Sequence, residues 1–176
     1  NTKTKWRSLE TGYPRFLDEN GMRKPGGAAY RAVMPEMTAG RFSRVKHYSI
    51  PTTGCYEPGQ AYFFDEYITQ TSLDAIHNRD KNMPFLLNAM FLAPHPPLEI
   101  PEPFYSAVDH INLPENVGMW ASGQSPLQMY NLTGYLGSRY SREDWQEIWR
   151  VYAGLVSLLD DCVGRIIQAL MDEGMY

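Results

Sequence analysis

The chain has no long apolar run, few cysteines and no concentration of charge of one sign. None of its 176 residues lies in a segment that approaches the ~20 apolar residues of a membrane-spanning helix. The formal net charge is −4, and the lysines and arginines are scattered along the chain. The sequence therefore lacks the basic patch typical of nucleic-acid-binding proteins, and we expect neither a membrane nor a nucleic acid as a partner.

The two cysteines, Cys55 and Cys162, form neither a CxxC pair nor a zinc-binding spacing. Cys162 falls on the apolar face of a predicted helix, where a free thiol packs as a small hydrophobic group. Two structural thiols are favoured, with a disulfide between them as the open alternative. The sequence also contains no P-loop, no GxGxxG and no GxSxG motif, which excludes the common phosphate-binding loops and the serine-hydrolase elbow.

The first residues, NTKTKWRSLE, lack the apolar segment of a signal peptide. If the chain is a piece of a longer protein, a signal peptide upstream would not be visible in it. The compartment is therefore open, and a periplasmic or secreted parent is compatible with the sequence.

Composition indicates a globular protein with a packed core, since 43% of the residues are hydrophobic and 13% are aromatic. We interpret residues 1–176 as a single partial domain. Its first part, residues 1–60, is predicted to be irregular, apart from a short helix from Pro14 to Glu19 closed by Asn20-Gly21. The residues that interrupt longer periodic runs there are Pro14, Pro25, Gly26, Gly27 and Pro35.

Residues 61–176 follow a helix–strand–loop–helix pattern. Apolar residues at helical spacing predict a helix from about Tyr62 to Arg79. The run FLLNAMFLA, from Phe85 to Ala93, is typical of a strand buried on both faces of a parallel sheet. Together they predict an α/β fold, in which the neighbours of this strand come from the first 60 residues or from sequence that is not present.

The segment from Ser141 to Gly174 predicts a long amphipathic helix. Ser141 with Asp144 three residues later is a capping-box pattern, and Gly174 is a typical residue to close the helix. The helix would run for about 30 residues, or ~45 Å. Gly154 and Gly164 inside it predict close approach by another element, since glycine weakens a helix interior.

His95 is the candidate functional residue, because it follows the predicted strand and is flanked by Pro94, Pro96 and Pro97. Ligands of open α/β sheets bind at the carboxyl ends of the strands. The prolines restrict the backbone and so reduce the entropy cost of holding the imidazole ring. An imidazole placed there could protonate a leaving oxygen or donate a hydrogen bond to an anionic ester. The alternative is an ordinary histidine in a proline-rich loop.

Other candidates carry weaker signals. His77 follows the apolar stripe of the predicted helix from Tyr62 to Arg79 and is expected to be exposed. Asp160-Asp161 is expected on a solvated helix face or bonded to a neighbouring loop. Several further residues lie in predicted loops: His47, His110, the sequon from Asn131 to Thr133, and the aromatic residues Trp120, Tyr130 and Tyr135.

Three stretches resemble the type I sulfatase family in order and spacing. They are DEYITQTSLDAI, MPFLLNAMFLAPHPPLEIPEPF and VYAGLVSLLDDCVGRIIQALMDEGMY. The resemblance extends from Asp65 to Tyr176 and is sharpest at Pro94–Pro97 and at Asp160–Arg165. It implies an alkaline-phosphatase-like α/β fold with extended Pro-rich loops, and hydrolysis of a sulfate ester on a small molecule or a sulfated sugar. In this family the corresponding histidine contacts the ester and assists the leaving group, a role that goes to His95.

The resemblance also implies cofactors that this segment does not account for. The family converts a cysteine or serine in a Cys/Ser-x-Pro-x-Arg motif to formylglycine and uses a divalent cation, usually calcium. The stretch CYEPG at Cys55 lacks the arginine of that motif. We expect the nucleophile motif and the metal ligands outside residues 1–176, no metal site within them, and no activity of the segment alone. The oligomeric state is open.

Two alternative functions remain. A phosphodiesterase or phosphonate ester hydrolase of the same superfamily uses a similar loop histidine and would differ in its nucleophile. A non-catalytic module could bind carbohydrate or protein through the aromatic, proline-rich loops of residues 94–140.

Overall fold

The computed structural model of the chain describes residues 9–27, 31–49, 52–115, 122–123 and 140–176. The elements in chain order are helix α1 (Leu9–Glu19), strands β1 (Arg31–Thr38), β2 (Arg41–Ser49) and β3 (Thr53–Cys55), a 3-10 turn (Gln60–Tyr62), helix α2 (Phe64–His77), strand β4 (Leu98–Ile100), helix α3 (Phe104–Ala107) and helix α4 (Arg142–Asp172). Strands β1 and β2 pair antiparallel, and β3 and β4 pair parallel. None of the helices in these ranges combines the length and hydropathy needed to cross a bilayer.

Helix α4 confirms the strongest sequence prediction. The Ser141 hydroxyl accepts the Asp144 N–H at 3.1 Å, and the Asp144 carboxylate accepts the Ser141 N–H at 2.8 Å. This reciprocal cap satisfies backbone donors at the helix start. Gly174, just past the helix end, has a φ of 67°, the left-handed conformation that glycine adopts without strain.

The core forms where α4 packs on α2 and on the parallel pair β3–β4. Buried side chains of β4 and α4 meet there: Leu98, Ile100, Val151, Leu155, Leu158 and Cys162. A Cβ added at Gly154 would lie 2.8 Å from Ile100 Cδ1 and 3.1 Å from the Phe104 carbonyl oxygen, so the predicted close approach is confirmed at Gly154. The same prediction is wrong at Gly164, where no atom of the described part of the chain lies within 4 Å of such a Cβ.

A two-point ion pair fixes α2 against α4. The Arg165 guanidinium donates to both carboxylate oxygens of Glu66, at 2.9 and 2.5 Å. Gln60 and Gln70 also donate to that carboxylate. Burial opposes ionisation of Glu66, but the hydrogen bonds, chiefly from Arg165, outweigh it and lower the pKa of Glu66. A planar fork of this kind sets the register of the two helices as well as their contact.

The prediction of a strand from Phe85 to Ala93 is wrong. Residues 84–92 lie outside any helix or strand, and the parallel pair is formed by β3 and β4 instead. Exposure still alternates along the segment, with Leu86 95% and Met90 67% exposed between half-buried neighbours. That alternation is typical of a strand with one side on the core. Within the described ranges, however, no strand pairs with the segment, and an apolar run cannot form a ladder without a neighbour.

The prediction that residues 1–60 are irregular is also wrong, since their described part contains a helix and three strands. Helix α1 begins at Leu9, ahead of the predicted start at Pro14, and ends as expected before Asn20-Gly21. Strands β1 and β2 form a hairpin whose two connecting residues, Ala39 and Gly40, have φ of 52° and 75°. The backbone twist of such turns matches that of paired strands. Pro35 lies inside β1, so this proline does not interrupt regular structure as the sequence analysis expected.

Removal of the Glu66 carboxylate should destabilise the fold. Glu66→Ala leaves a partly buried Arg165 without its main partner, and we expect a loss of about 2 kcal/mol, below the range for fully buried pairs because Arg165 is one-third exposed. Asp161→Ala removes a more exposed partner of Arg165, 43% exposed, and should cost about 0.5 kcal/mol or less. Urea unfolding monitored by circular dichroism measures both values. Equal losses in the two variants would contradict the role assigned to the Glu66–Arg165 fork.

The stabilisation from Glu66 should also depend on pH. Because the folded-state pKa of Glu66 is lower than the ordinary value of 4.5, the contribution is present above pH 4.5 and is lost as the pH falls through the folded-state pKa. The difference in stability between the wild-type chain and Glu66→Ala should therefore narrow below pH 4.5.

Candidate functional site

His95 lies in the short loop between residue 93 and β4. Its backbone N–H donates to the Leu92 carbonyl at 2.9 Å, which closes a tight turn over residues 92–95. The flanking residues Pro94, Pro96 and Pro97 are half-buried. The structure therefore presents the imidazole on a constrained loop, although the segment before it is not the strand that the sequence predicted.

A buried carboxylate holds the entry to this loop. Asp65, in the first turn of α2, is 1% exposed, and its Oδ1 accepts the N–H groups of Leu92 at 2.7 Å and Ala93 at 3.0 Å. Burial raises the pKa of Asp65, against the opposing effect of these backbone hydrogen bonds. The start of a helix also favours a negative charge at this position. The turn that carries His95 is thus tied directly to α2.

Strand β4 holds the other end of the loop. It begins at Leu98, directly after Pro97, and pairs with β3 in parallel register. Leu98 and Ile100 are buried against α4. Because both ends are anchored within a few residues of His95, the loop has little freedom to move relative to α2 and α4.

The imidazole of His95 is exposed, and one of its ring nitrogens already makes a hydrogen bond within the loop. Nδ1 lies 2.6 Å from the Pro96 carbonyl oxygen. A carbonyl can only accept, so Nδ1 carries the proton in this contact. Nε2 is then the nitrogen available to a ligand, as an acceptor in the neutral ring and as a donor in the imidazolium.

His95 lines a cleft of about 110 Å³ between the α1–β1 connection, α2 and the His95 loop. Its wall is mainly apolar, with Phe63, Phe64, Leu92, Pro97 and Leu155. Three other polar residues also line it, namely Tyr13, Lys24 and Asp65. The cleft therefore combines an apolar wall with a small number of polar groups, which is the usual composition of a small-molecule site.

Lys24 lines the cleft, and hydrogen bonds to the neighbouring residues Arg23 and Gly26 fix the backbone on both sides of it. The Tyr56 hydroxyl donates to the Arg23 carbonyl at 2.5 Å, and the Glu99 carboxylate accepts the Gly26 N–H at 2.8 Å. Arg23 also pairs with Glu99 at 2.7 Å. Since Glu99 belongs to β4, the same strand positions the loop of Lys24 and the loop of His95.

Sequence reasoning missed Asp65 and Lys24. Asp65 had a detectable signal, since it occupies a core-facing position in the first turn of a predicted helix. Lys24 had none, because it sits in a loop rich in proline and glycine and reaches the cleft only through tertiary contacts.

The remaining candidates do not join the site. His77, His110, Asp160 and Asp161 are exposed, as expected for His77 and for the two aspartates, and Asp161 pairs with Arg165. Both cysteines are free, and Cys162 is buried as a small hydrophobic group. Several candidates lie outside the residues or side chains that the structure describes: His47, the sequon from Asn131 to Thr133, Trp120, Tyr130 and Tyr135.

The side chains of the cleft do not fit a calcium site. Calcium takes six to eight oxygen ligands, whereas the cleft offers one carboxylate that already accepts two backbone N–H groups, beside a lysine. In the described part of the chain, no three His, Cys, Asp or Glu side chains come together. The lining of the cleft therefore does not provide the ligand set of a calcium ion.

Asp65 can be tested by comparing two substitutions. Asp65→Ala leaves the N–H groups of Leu92 and Ala93 without their acceptor and should cost about 2–3 kcal/mol. Asp65→Asn keeps an acceptor oxygen without the buried charge and should cost about 1 kcal/mol or less. Chemical unfolding gives both values, and slow amide exchange at Leu92 and Ala93 should be lost in Asp65→Ala alone. Similar behaviour of the two variants would refute the assigned contacts.

The buried charge of Asp65 also predicts a pH effect of defined sign. Its pKa is higher in the folded chain than the ordinary value of 3.8, so the unfolded chain ionises first as the pH rises. The wild-type chain therefore loses stability from this group between pH 3.8 and the raised pKa. Asp65→Asn should not show that loss.

Comparison with known proteins identifies the family. An arylsulfatase of Clostridium perfringens (strain 13 / Type A) is 25% identical over 109 residues, which are 61% of this chain and 23% of that protein. The aligned part thus spans about a quarter of this curated relative. The family model described as Sulfatase matches residues 1–176, and on this evidence the chain belongs to the Sulfatase family, with its alkaline-phosphatase-like α/β fold.

Proposed function

We propose that this chain is the central part of a sulfatase that hydrolyses sulfate esters, and that His95 assists departure of the leaving group. The observation that carries the proposal is the fixed loop of His95 at the edge of a cleft, in a chain that belongs to the Sulfatase family. The name of the arylsulfatase relative supports a sulfate ester as the substrate.

The contacts of His95 define its role in the proposed reaction. With Nδ1–H donating to the Pro96 carbonyl, a protonated ring keeps a second N–H, at Nε2, which is the donor that we assign to the ester. The nucleophile, assigned to polypeptide outside these residues, forms a bond to sulfur as the bond between sulfur and the bridging oxygen breaks; that oxygen takes the proton from Nε2 and leaves as a neutral alcohol or phenol. His95 becomes neutral and regains a proton from water. General acid catalysis of this kind contributes about 10²- to 10⁴-fold in rate.

Asp65 and the three prolines act as positioning groups in this scheme. Asp65 fixes Leu92 and Ala93, while Pro94, Pro96 and Pro97 limit the backbone on either side of His95. A displacement of about 1 Å at a catalytic group can cost about 10²-fold in rate, so the rigid attachment of the loop is part of the proposed mechanism.

The nucleophile and the divalent cation are assigned to polypeptide outside these 176 residues. Formylglycine and calcium are the groups that the family resemblance implies. Neither Cys55 nor Cys162 stands in a formylglycine motif, and the cleft does not fit calcium. Within the chain, the proposed contribution is to bind the ester and to deliver the proton.

The 176-residue segment alone should not hydrolyse sulfate esters, because it lacks an assigned nucleophile. The measurement is release of 4-nitrophenol from 4-nitrophenyl sulfate by the purified segment, with a His95→Ala segment prepared in parallel to reveal contaminating enzyme. Turnover that disappears in the His95→Ala preparation would show that the segment is catalytically complete and would overturn this part of the proposal.

His95→Ala in the full-length protein should lower kcat by about 10²- to 10⁴-fold. The loss should be larger for an alkyl sulfate than for 4-nitrophenyl sulfate, because 4-nitrophenolate leaves readily without a proton whereas an alkoxide does not. His77→Ala is the matched control, since His77 is an exposed histidine outside the cleft, and it should leave kcat unchanged. An equal loss with both substrates would argue against proton donation, and unchanged turnover would remove His95 from the mechanism.

A further inference from the structure

We propose that one face of the hairpin β1–β2 is a polyanion-binding surface, separate from the cleft of His95, whose partner is a linear sulfated polysaccharide. The surface is a row of three cationic residues, Arg41, Arg44 and Lys46, here called the basic row. The row itself rests on the pairing, the exposure and the charge of the hairpin. The choice of sulfate as the anionic group of the polymer rests on the proposed function.

The basic row depends on an irregularity in the pairing of the two strands. Arg41, Arg44 and Lys46 are three and then two residues apart in the sequence. In a regular strand, whose successive residues alternate between the two faces, Arg41 would lie on the face opposite the other two. The register of the hairpin, however, shifts between Glu36 and Met37 of β1, so that β2 has one extra residue there, as at a β-bulge.

The shifted register places all three cationic positions on one face. They lie opposite alternate residues of β1, which share a face of the hairpin. The pairs are Thr38–Arg41, Glu36–Arg44 and Met34–Lys46. At about 3.4 Å per residue, neighbouring positions in the row are about 7 Å apart, and the row is about 14 Å long. A long and narrow row of this kind suits an extended polymer better than a compact anion.

The hairpin is also the basic part of an acidic chain. Residues 31–49 contain the basic row, Arg31 and one acidic residue, Glu36, so their formal charge is +3, whereas the whole chain carries −4. The other residues of the chain therefore carry −7. Glu36 lies opposite Arg44 and offsets one charge of the row, which leaves two. Because residues 38–45 are exposed, this positive end of the molecule is accessible to a polyanion, which the acidic remainder would repel.

The spacing and exposure of the row favour a polymer over a single sulfate group. A guanidinium fork matches two oxygens of an oxyanion, but one exposed ion pair contributes only about 1 kcal/mol or less. A sulfate group on one cation would also be about 7 Å from the next position of the row. A polymer with many sulfate groups engages several cations at once and releases the counterions that it had condensed.

The opposite face of the hairpin argues against a membrane as the partner. Phe42 and Val45 are 62% and 51% exposed, and they lie opposite Met37 and Pro35, on the face away from the basic row. A hairpin that lay with this apolar face on a bilayer would turn its cations away from the lipid headgroups, whereas membrane-surface elements direct both toward the membrane.

Dextran sulfate and unmodified dextran form a matched pair of probes for calorimetric titration of the full-length protein. At low salt, dextran sulfate should bind and dextran should not. Arg41→Ala should weaken dextran sulfate binding about fivefold, the equivalent of one exposed ion pair. The plot of log affinity against log salt concentration should also become shallower by about 0.7, as expected for the loss of one contact to a single-stranded polyanion.

A variant of unchanged composition separates the position of the charge from its amount. Arg41→Phe combined with Phe42→Arg moves the arginine to the apolar face and should weaken dextran sulfate binding as much as Arg41→Ala. Arg41→Lys keeps a cation in the row and should retain most of the affinity. Arg15→Ala removes an exposed arginine of α1 and should leave the affinity unchanged.

Two kinds of result would overturn the inference. If the exchanged variant binds dextran sulfate as tightly as the wild-type protein, or Arg15→Ala weakens binding as much as Arg41→Ala, binding follows net charge and the basic row is not the site. Tighter binding of a single-stranded oligonucleotide, or of vesicles that contain phosphatidylserine, would refute the choice of partner.

The proposed function is tested separately. None of the described residues that line the cleft belongs to the hairpin, so His95→Ala should leave the affinity for dextran sulfate unchanged. If the full-length protein hydrolyses sulfate esters but its dextran sulfate binding does not depend on Arg41, this inference fails and the sulfatase proposal stands. If the binding depends on Arg41 but no sulfate ester is hydrolysed, the basic row stands and the sulfatase proposal fails.

Discussion

The contact on which the candidate site depends is the pair of hydrogen bonds from Leu92 and Ala93 to the Asp65 carboxylate. It is the point where helix α2 touches the chain immediately before His95. A buried carboxylate is costly unless it is well bonded, and the two N–H groups that Asp65 accepts account for its burial. The segment from residue 84 to 92 is not a strand, so hydrogen bonds to a neighbouring strand do not fix the residues before His95. The contact with Asp65 fixes them instead.

Several of the charged residues hold the scaffold together through ion pairs. Arg165 is bound by Glu66 and Arg23 by Glu99. Arg150 is bound by Glu147 and by Asp109, and its guanidinium also lies over the Tyr105 ring at 4.4 Å. The Arg165–Glu66, Arg23–Glu99 and Arg150–Asp109 pairs join parts of the chain that are distant in sequence, whereas Arg150–Glu147 lies within α4. Lys24 and His95 lie at one cleft without such carboxylate partners in the described ranges.

The elements that could be predicted from the sequence are those whose cause is local. The cap at Ser141 and the apolar stripe that follows it specify α4 within a few residues. Helix α2 is specified by its apolar stripe alone, since no side chain caps its start. The hairpin β1–β2 was missed because Pro35 suggested a break and the connecting Ala39-Gly40 is not a typical hairpin dipeptide. The contribution of Lys24 could not be predicted, since it depends on bonds from Tyr56 and Glu99 across the fold.

The segment from Phe85 to Ala93 shows why a correct local signal can give a wrong structure. Its residues alternate between half-buried and exposed, as they would on a strand, but a strand exists only through hydrogen bonds to a neighbour. Leu86, at 95% exposure, is far more exposed than a leucine that packs in a hydrophobic core. The proposal that this chain is the central part of a longer enzyme supplies a reason, because neighbouring strands would then come from the remainder of the protein. On that view, the remainder of the protein supplies a partner for the apolar segment, which no strand of the described ranges pairs, together with the nucleophile and the metal ligands.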